Sequence, residues 1–274
     1  MNHLISPQST DNVILPAEIN FKYTPTHVPG PGLDKHPSEI IYEGCNCVAP
    51  SCTLQCPCIT RHGANYDNAG HFIKGPSTTE SQPVFECNAS CKCGPECINR
   101  VIQNGPLFPL HVFTTARKGY GLQSPVPIPK DRFVCEYAGE VLTLKEAQKR
   151  TGEMKPQDLN FIMVVRESLA SGAVITTPID LTHIGNIGRF INHSCQPNLY
   201  LVTVRVDNDI PRVAMFARRD IDAHKELTYS YWGDHAPQAA SDETHEGQQS
   251  ECFCDSENCV GFLPCSGGIY ETGM

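Results

Sequence analysis

Nine of the fifteen cysteines fall between residues 45 and 97, and no other feature limits the fold so tightly. They are spaced Cys45-x-Cys47-x4-Cys52-x3-Cys56-x-Cys58 and then, after 28 intervening residues, Cys87-x3-Cys91-x-Cys93-x3-Cys97. A third set lies near the end, Cys252-x-Cys254-x4-Cys259, and Cys135, Cys195 and Cys265 stand apart. Nine is odd, and pairs separated by one residue are poorly placed to bond each other. The first ten residues, "MNHLISPQST", lack the charged start and apolar middle of a secretory signal, so metal ligation is expected over a disulfide scaffold. Structural zinc is tetrahedral and favours thiolates. Nine thiolates do not divide into separate four-ligand sites. Three ions need twelve ligand positions, which nine sulfurs supply if three of them each bridge two ions. The C-terminal set has three ligands and lacks a fourth, a place that Cys195 can fill. Cys135, inside the apolar "RFVCEY", reads as a buried core thiol, and Cys265 as a spare thiol near the tail.

A chain of 274 residues makes one large domain or two small ones, and 40% hydrophobic content supports a real core. With 21 Gly and 22 Pro, many turns and little long helix are expected. No apolar run reaches the ~18 residues of a membrane span. A net charge of -9 argues against sequence-specific nucleic-acid binding driven by the overall field and suits a basic peptide partner.

The texture of the chain changes along its length. Residues 1–40 are Pro-rich and read as an extended segment laid along the domain or as partly disordered. Residues 41–104 hold the cysteine module, whose few apolar residues imply metal in place of a core. From 107 to 233 the patterns are mostly β. "LHVFTT" reads as a strand, and "RFVCEYAGEVL" as a strand followed by a Gly-bearing turn. "TLKEAQKR" opens with a capping-box signature, Thr143 and Glu146, for a short helix ended by Gly152. "NFIMVVR" is strand-like. "LYLVTVRV" and "PRVAMFA" flank "DNDI" as a hairpin, and "ELTYSYW" is a last strand. Residues 234–250 read as a flexible acidic loop, 251–265 as a second metal loop, and 266–274 as a tail.

In order, the nine-cysteine module, "KGYGL", "EYAGEVL", "RFINHSCQPN", "ELTYSY" and "CFCDSENCVGF" resemble the pre-SET, SET and post-SET segments of histone lysine methyltransferases of the suppressor-of-variegation branch. The likeness covers about 41–265. Any one motif is weak, whereas four in order with two cysteine frameworks are specific. The resemblance implies a mostly β SET fold of short curved sheets with a knot-like C-terminal crossing. It also implies a pre-SET zinc cluster and a post-SET zinc loop.

The implied reaction is methyl transfer from S-adenosylmethionine to a lysine of a histone tail, implied to be histone H3 at lysine 36, lysine 4 or lysine 9, in nuclear chromatin. Asn192 and His193 match the family's cofactor-binding pair, and Arg189 a neighbouring pocket position. Lys118, Gly119, Tyr120 and Gly121 match the turn that lets the cofactor approach, and Phe262 an aromatic covering the adenine. Tyr231 matches the catalytic tyrosine, Tyr137 one lining the lysine channel, and Tyr229 the position that limits the product to mono- or dimethyl-lysine. Cys195 joins the post-SET zinc, and Ser194 reads as structural. Three positions depart from the pattern: Phe161 replaces a tyrosine that reaches the cofactor, Tyr120 a tryptophan, and Ser230 an aspartate. Two other readings exist: a zinc-stabilised chromatin-binding module with weak catalysis, and a zinc hydrolase. The latter needs an open metal position that all-thiolate sites do not offer.

Overall fold

The computed structural model describes residues 13–15, 21–47, 50–75, 84–155, 158–169, 171–233 and 250–264. Most of the acidic loop, Cys265 and the tail therefore lie outside the described residues. Strands are β1 (Val13–Ile14), β2 (Lys22–Tyr23), β3 (Val28–Pro29), β4 (Val84–Phe85), β5 (Leu110–Thr114), β6 (Tyr120–Gln123) and β7 (Phe133–Tyr137). They continue with β8 (Gly139–Val141), β9 (Ile162–Ser168), β10 (Val174–Gly185), β11 (Asn192–His193), β12 (Leu199–Arg205), β13 (Arg212–Ala217) and β14 (Glu226–Tyr229). Helices α1 (Pro57–Thr60) and α2 (Leu144–Glu153) are short. The result is mostly β, as the Gly and Pro content implies.

The hairpin predicted around "DNDI" forms, with β12 and β13 antiparallel from Leu199↔Ala217 to Val204↔Arg212. β7 adds to its far side and β4 to its near side, giving the order β4-β12-β13-β7. Both faces of this sheet are covered. Val213, Met215 and Ala217 face one core, while Ala214 and Phe216 face another. A strand buried on both faces loses its polar alternation, which is why all five residues of β7 are buried, Glu136 among them, and Cys135 completely. Burial pushes the Cys135 thiol up from its ordinary range.

The second core corrects the expectation that metal replaces a core in the cysteine module. Tyr66, Phe72 and Ile102 from that module pack with Phe133, Tyr200 and Phe216. Their apolar area is buried against the neighbouring sheet, not within the module, so counting the module's own apolar residues understates it. Glu86 joins the parts: its amide donates to the Arg205 carbonyl of β12 at 2.9 Å, and its buried carboxylate accepts from the Tyr66 hydroxyl (2.8 Å), the Ile102 amide (2.9 Å) and Gln103 Nε2 (2.7 Å) of the module. Burial raises its pKa.

The N-terminal segment is extended where it is described. β1, β2 and β3 pair in parallel with β5, β10 and β8. The 12-residue β10 is the element the sequence reading lacks. Pro178 sits inside it, and proline argues against a central strand. Here it needs only to accept, and its carbonyl takes the Leu142 amide at 2.9 Å. Gly139, read as part of a turn, instead opens β8, where an added Cβ would lie 2.4 Å from the Asp180 carbonyl oxygen.

Helix α2 starts at Thr143, whose hydroxyl accepts the Glu146 amide. Only half of the capping box forms, because the Glu146 carboxylate turns to Arg150 Nε (3.1 Å). The helix passes Gly152 and ends at Glu153. Arg150 Nη1 donates to Glu140 (2.9 Å) and Asp180 (2.6 Å), fastening α2 to β8 and β10. Asp180 is only 1% exposed, so losing its cation leaves a buried charge unpaired. The substitution Arg150→Met is expected to destabilise the fold by about 3 kcal/mol in denaturant unfolding; a change below about 1 kcal/mol contradicts this account.

Candidate active site

The "KGYG" turn is closed by Thr115, whose amide and hydroxyl both donate to the Gly119 carbonyl, at 2.7 and 2.9 Å. Gly119 has φ +68, a conformation glycine adopts without strain. Gly121 is tight for another reason: an added Cβ would meet Thr115 Cγ2 at 2.9 Å and Phe113 at 3.0 Å.

This turn meets β14, and strand order explains how. In the sheet β1-β5-β6-β14-β11, the late strand β14 is inserted between β6 and β11. It runs parallel to β11, with Asn192 opposite Thr228 and His193 opposite Tyr229. Asn192 Nδ2 then donates to the Tyr120 carbonyl and to Glu226 Oε1, both at 2.9 Å. Glu226 Oε2 accepts from Lys118 Nζ at 2.6 Å. Glu226 thus joins two predicted site residues, and sequence reasoning missed it. Its only signal was an acid opening the strand "ELTYSY". Asn198, also missed, locks the same strand through Glu226 O (2.8 Å) and the Thr228 amide (2.8 Å).

Three predicted tyrosines converge beyond β14. The Tyr229 and Tyr231 rings lie 4.7 Å apart. The Tyr231 hydroxyl donates to the Ile191 carbonyl (3.1 Å) and that of Tyr137 to the Phe161 carbonyl (2.6 Å). The Tyr229 hydroxyl makes no hydrogen bond to another described residue. Tyr231 keeps 39% of its surface open, whereas Tyr137 and Tyr229 are buried. Burial raises the pKa of all three, reinforced at Tyr137 and Tyr229 by the charge of Tyr231 and at Tyr231 by Glu226. The phenols therefore stay protonated at neutral pH.

His193 is buried, and its Nδ1 accepts the Tyr231 amide at 3.0 Å. Desolvation, with Lys118 nearby, lowers its pKa to about 4, so the ring is neutral. The Arg189 guanidinium lies 4.4 Å from both the Phe21 and Phe161 rings. Its Nε and Nη1, like Trp232 Nε1, are buried with no hydrogen-bond partner among the described residues. Orphaned buried donors fit a polar ligand such as S-adenosylmethionine, because buried donors are costly to leave unmade. Phe262 packs edge-on against Trp232 at 5.8 Å, one residue after Tyr231.

The cysteines gather as their spacing implies. Sulfurs of Cys195, Cys252, Cys254 and Cys259 lie within 4.8 Å of one another. In the N-terminal module three such groups of four overlap: Cys45, Cys47, Cys52 and Cys56; Cys45, Cys58, Cys87 and Cys91; Cys45, Cys52, Cys87 and Cys93. Cys45, Cys52 and Cys87 recur among them. The Cys97 sulfur accepts the Cys52 amide at 3.3 Å, which places it on the same cluster. Sulfur separations of 3.7 Å (Cys45–Cys52), 3.6 Å (Cys52–Cys87) and 3.7 Å (Cys58–Cys91) are far longer than a disulfide. They match the edge of a tetrahedron of sulfurs around zinc, ~3.8 Å for a Zn–S bond of about 2.3 Å. The donor set fits zinc.

Tyrosines gathered at a strand crossing, with one cysteine cluster before the site in sequence and another after it, are the arrangement of a SET-type methyltransferase. Residues 119–232 match the SET domain and residues 6–100 the Pre-SET motif. The mouse (Mus musculus) histone-lysine N-methyltransferase SETMAR is 45% identical over 91% of this chain and 82% of its own length. The crystal structure of the methyltransferase domain of human SETMAR superposes with a TM-score of 0.80 at 41% identity, covering 92% of this chain and 93% of that one. KRYPTONITE, solved with mCHH DNA, an H3(1-15) peptide and SAH, follows with a TM-score of 0.69 at 31% identity, covering 89% of this chain and 48% of that one. The chain belongs to the SET-domain histone-lysine N-methyltransferases. Among the described residues, no helix is long and apolar enough to cross a membrane.

Glu226→Gln keeps an acceptor for Asn192 but removes the ion pair to Lys118. It is expected to lower stability by about 1.5–3 kcal/mol, the range for a hydrogen bond to a charged group, in thermal or denaturant unfolding. An unchanged midpoint contradicts the joining role.

Proposed function

We propose that this enzyme methylates a lysine of the histone H3 tail in nuclear chromatin and stops at mono- or dimethyl-lysine. Likeness to the suppressor-of-variegation branch points to lysine 9, and likeness to SETMAR to lysine 36 or lysine 4. The observation that carries the reading is the convergence of Tyr137, Tyr229 and Tyr231 beside the Asn192–Glu226–Lys118 network. The net charge of -9 suits a basic tail. Direct sequence-specific nucleic-acid binding is not part of this reading.

When bound, S-adenosylmethionine supplies a methyl group on a reactive sulfonium, so the protein's task is mainly alignment. Asn192, His193 through its backbone, Arg189, Phe161, Phe262 and the turn Lys118, Gly119, Tyr120 and Gly121 hold the donor. A lysine amine, with an ordinary pKa near ~10.4, must lose its proton before it attacks. The buried aromatic walls of Tyr137 and Tyr229 disfavour the ammonium by desolvation. The Tyr137 and Tyr231 hydroxyls are fixed by backbone carbonyls, which leaves their oxygen lone pairs to orient the incoming chain. Phe161 and Ser230 lack the hydroxyl and carboxylate of the family pattern, which lowers the number of polar contacts at the site.

Four zinc ions fit the cysteines. Three are shared by Cys45, Cys47, Cys52, Cys56, Cys58, Cys87, Cys91, Cys93 and Cys97, with Cys45, Cys52 and Cys87 bridging. One is held by Cys195, Cys252, Cys254 and Cys259.

Three outcomes test these assignments. On a panel of H3 peptides and nucleosomes, the wild type is expected to methylate one lysine and Tyr231→Phe to lose at least about 100-fold in rate; a wild type that binds SAH yet transfers no methyl is instead a binding module. Because the Tyr229 hydroxyl is free to hold the amine and fill the space of a further methyl, Tyr229→Phe is expected to shift products towards trimethyl-lysine, read by mass spectrometry. Trimethyl-lysine from the wild type, or an unchanged pattern in the variant, contradicts this. Metal analysis is expected to give four zinc ions for the wild type and three for Cys254→Ser. That variant should keep its far-ultraviolet spectrum and bind SAH at least about tenfold more weakly.

A further inference from the structure

We propose that the His193 imidazole is a positioning residue that links the Cys195 sulfur to the backbone of Tyr231, and that its side chain does not contact the cofactor. This rests on the reading of Tyr231 as the methyl-transfer tyrosine. A backbone N–H can only donate, so the Tyr231 amide, 3.0 Å from Nδ1, requires a lone pair there. The proton of the neutral ring is then on Nε2, which lies 3.4 Å from Cys195 Sγ. Both nitrogens are committed, and none remains for a ligand.

Strand geometry explains why the link is needed. β11 ends at His193 and β14 at Tyr229, with the Ser194 amide donating to the Tyr229 carbonyl at 3.1 Å as the last ladder bond. Tyr231 lies past the ladder, where its amide has no strand to bond, and the imidazole takes that place. The ring also packs on Tyr231, with centroids 5.3 Å apart. It is 3% exposed and has little room to move. A shift of the Cys195 sulfur therefore reaches the Tyr231 backbone through one rigid ring. A ligand thiolate that accepts this N–H is in turn held in place for its metal, as outer hydrogen bonds commonly do.

Two substitutions separate the halves of the bridge in the full chain. In His193→Asn the amide oxygen can replace Nδ1 for Tyr231, but nothing reaches Cys195. In His193→Gln the amide nitrogen can replace Nε2 for Cys195, but the acceptor for Tyr231 is lost. His193→Asn should release post-SET zinc to a chromogenic chelator about tenfold or more faster than the wild type. His193→Gln should hold its zinc and lose about tenfold or more in kcat. A tenfold rise in cofactor KM in both variants, with zinc release unchanged, overturns the proposal in favour of a direct side-chain contact.

Nitrogen-15 spectra of the zinc-loaded wild type give a second measurement that needs neither variant folding nor activity. The Nε2–H tautomer is expected at His193, and the Nδ1–H tautomer overturns the bridge. A wild type that transfers no methyl at all defeats the proposed function alone, since zinc release and the tautomer still decide this link.

Discussion

Two residues of parallel pairing, Asn192 with Thr228 and His193 with Tyr229, hold the site together. They set Asn192 against Glu226, Glu226 against Lys118, and His193 under Tyr231. So short a ladder could not persist alone, because two strands make a marginal unit even when longer. It persists because β14 is also paired with β6 and its end is locked by Asn198. The site is thus rigid where chain segments distant in sequence cross, a suitable place for chemistry that depends on alignment.

That crossing needs a stiff support, and the sheet β4-β12-β13-β7 provides it. Its two covered faces tie the body of the enzyme to the cysteine module through Tyr66, Phe72 and the Glu86 amide on Arg205. The module is therefore braced twice. Aromatic packing fixes one side of it to the sheet, while the cysteine sulfurs gather the remaining loops around Ile59, Ala64 and Ile98. Losing metal should loosen those loops first, since the aromatic contacts do not depend on it.

Where the chemistry is local in sequence, it was legible. The cysteine spacing, the apolar hairpin, Thr143 as a cap and the clustered "RFINHSC" each placed residues that the structure brings together. What escaped was decided by distant partners. β10 was hidden because Pro178 breaks the strand pattern, and only the Leu142 amide explains why proline is tolerated. Glu226 has no pattern of its own, and its meaning comes from Lys118 and Asn192, which lie 108 and 34 positions away. The second core was missed because half of it belongs to another segment. The free Tyr229 hydroxyl is likewise a property of surroundings that no motif records.

The segment 250–264 shows how the metal and the pocket depend on each other. Among the described residues, its polar and ring contacts with the body are Arg117 paired with Asp255 and stacked on Phe253, Asn258 donating to the Cys195 carbonyl, and Phe262 against Trp232. The ion pair is fully exposed and screened by solvent. An aromatic pair adds about 1 kcal/mol, whereas ordering a single residue costs about 1–2 kcal/mol. Such contacts can orient the segment but not hold it, so ligation by Cys252, Cys254 and Cys259 must do so. The fourth sulfur, Cys195, comes from the chain crossing itself, two residues from His193. The group of four sulfurs is therefore completed only where Tyr231 is also in place, and the ordering of segment 250–264 and the placement of Tyr231 become one condition.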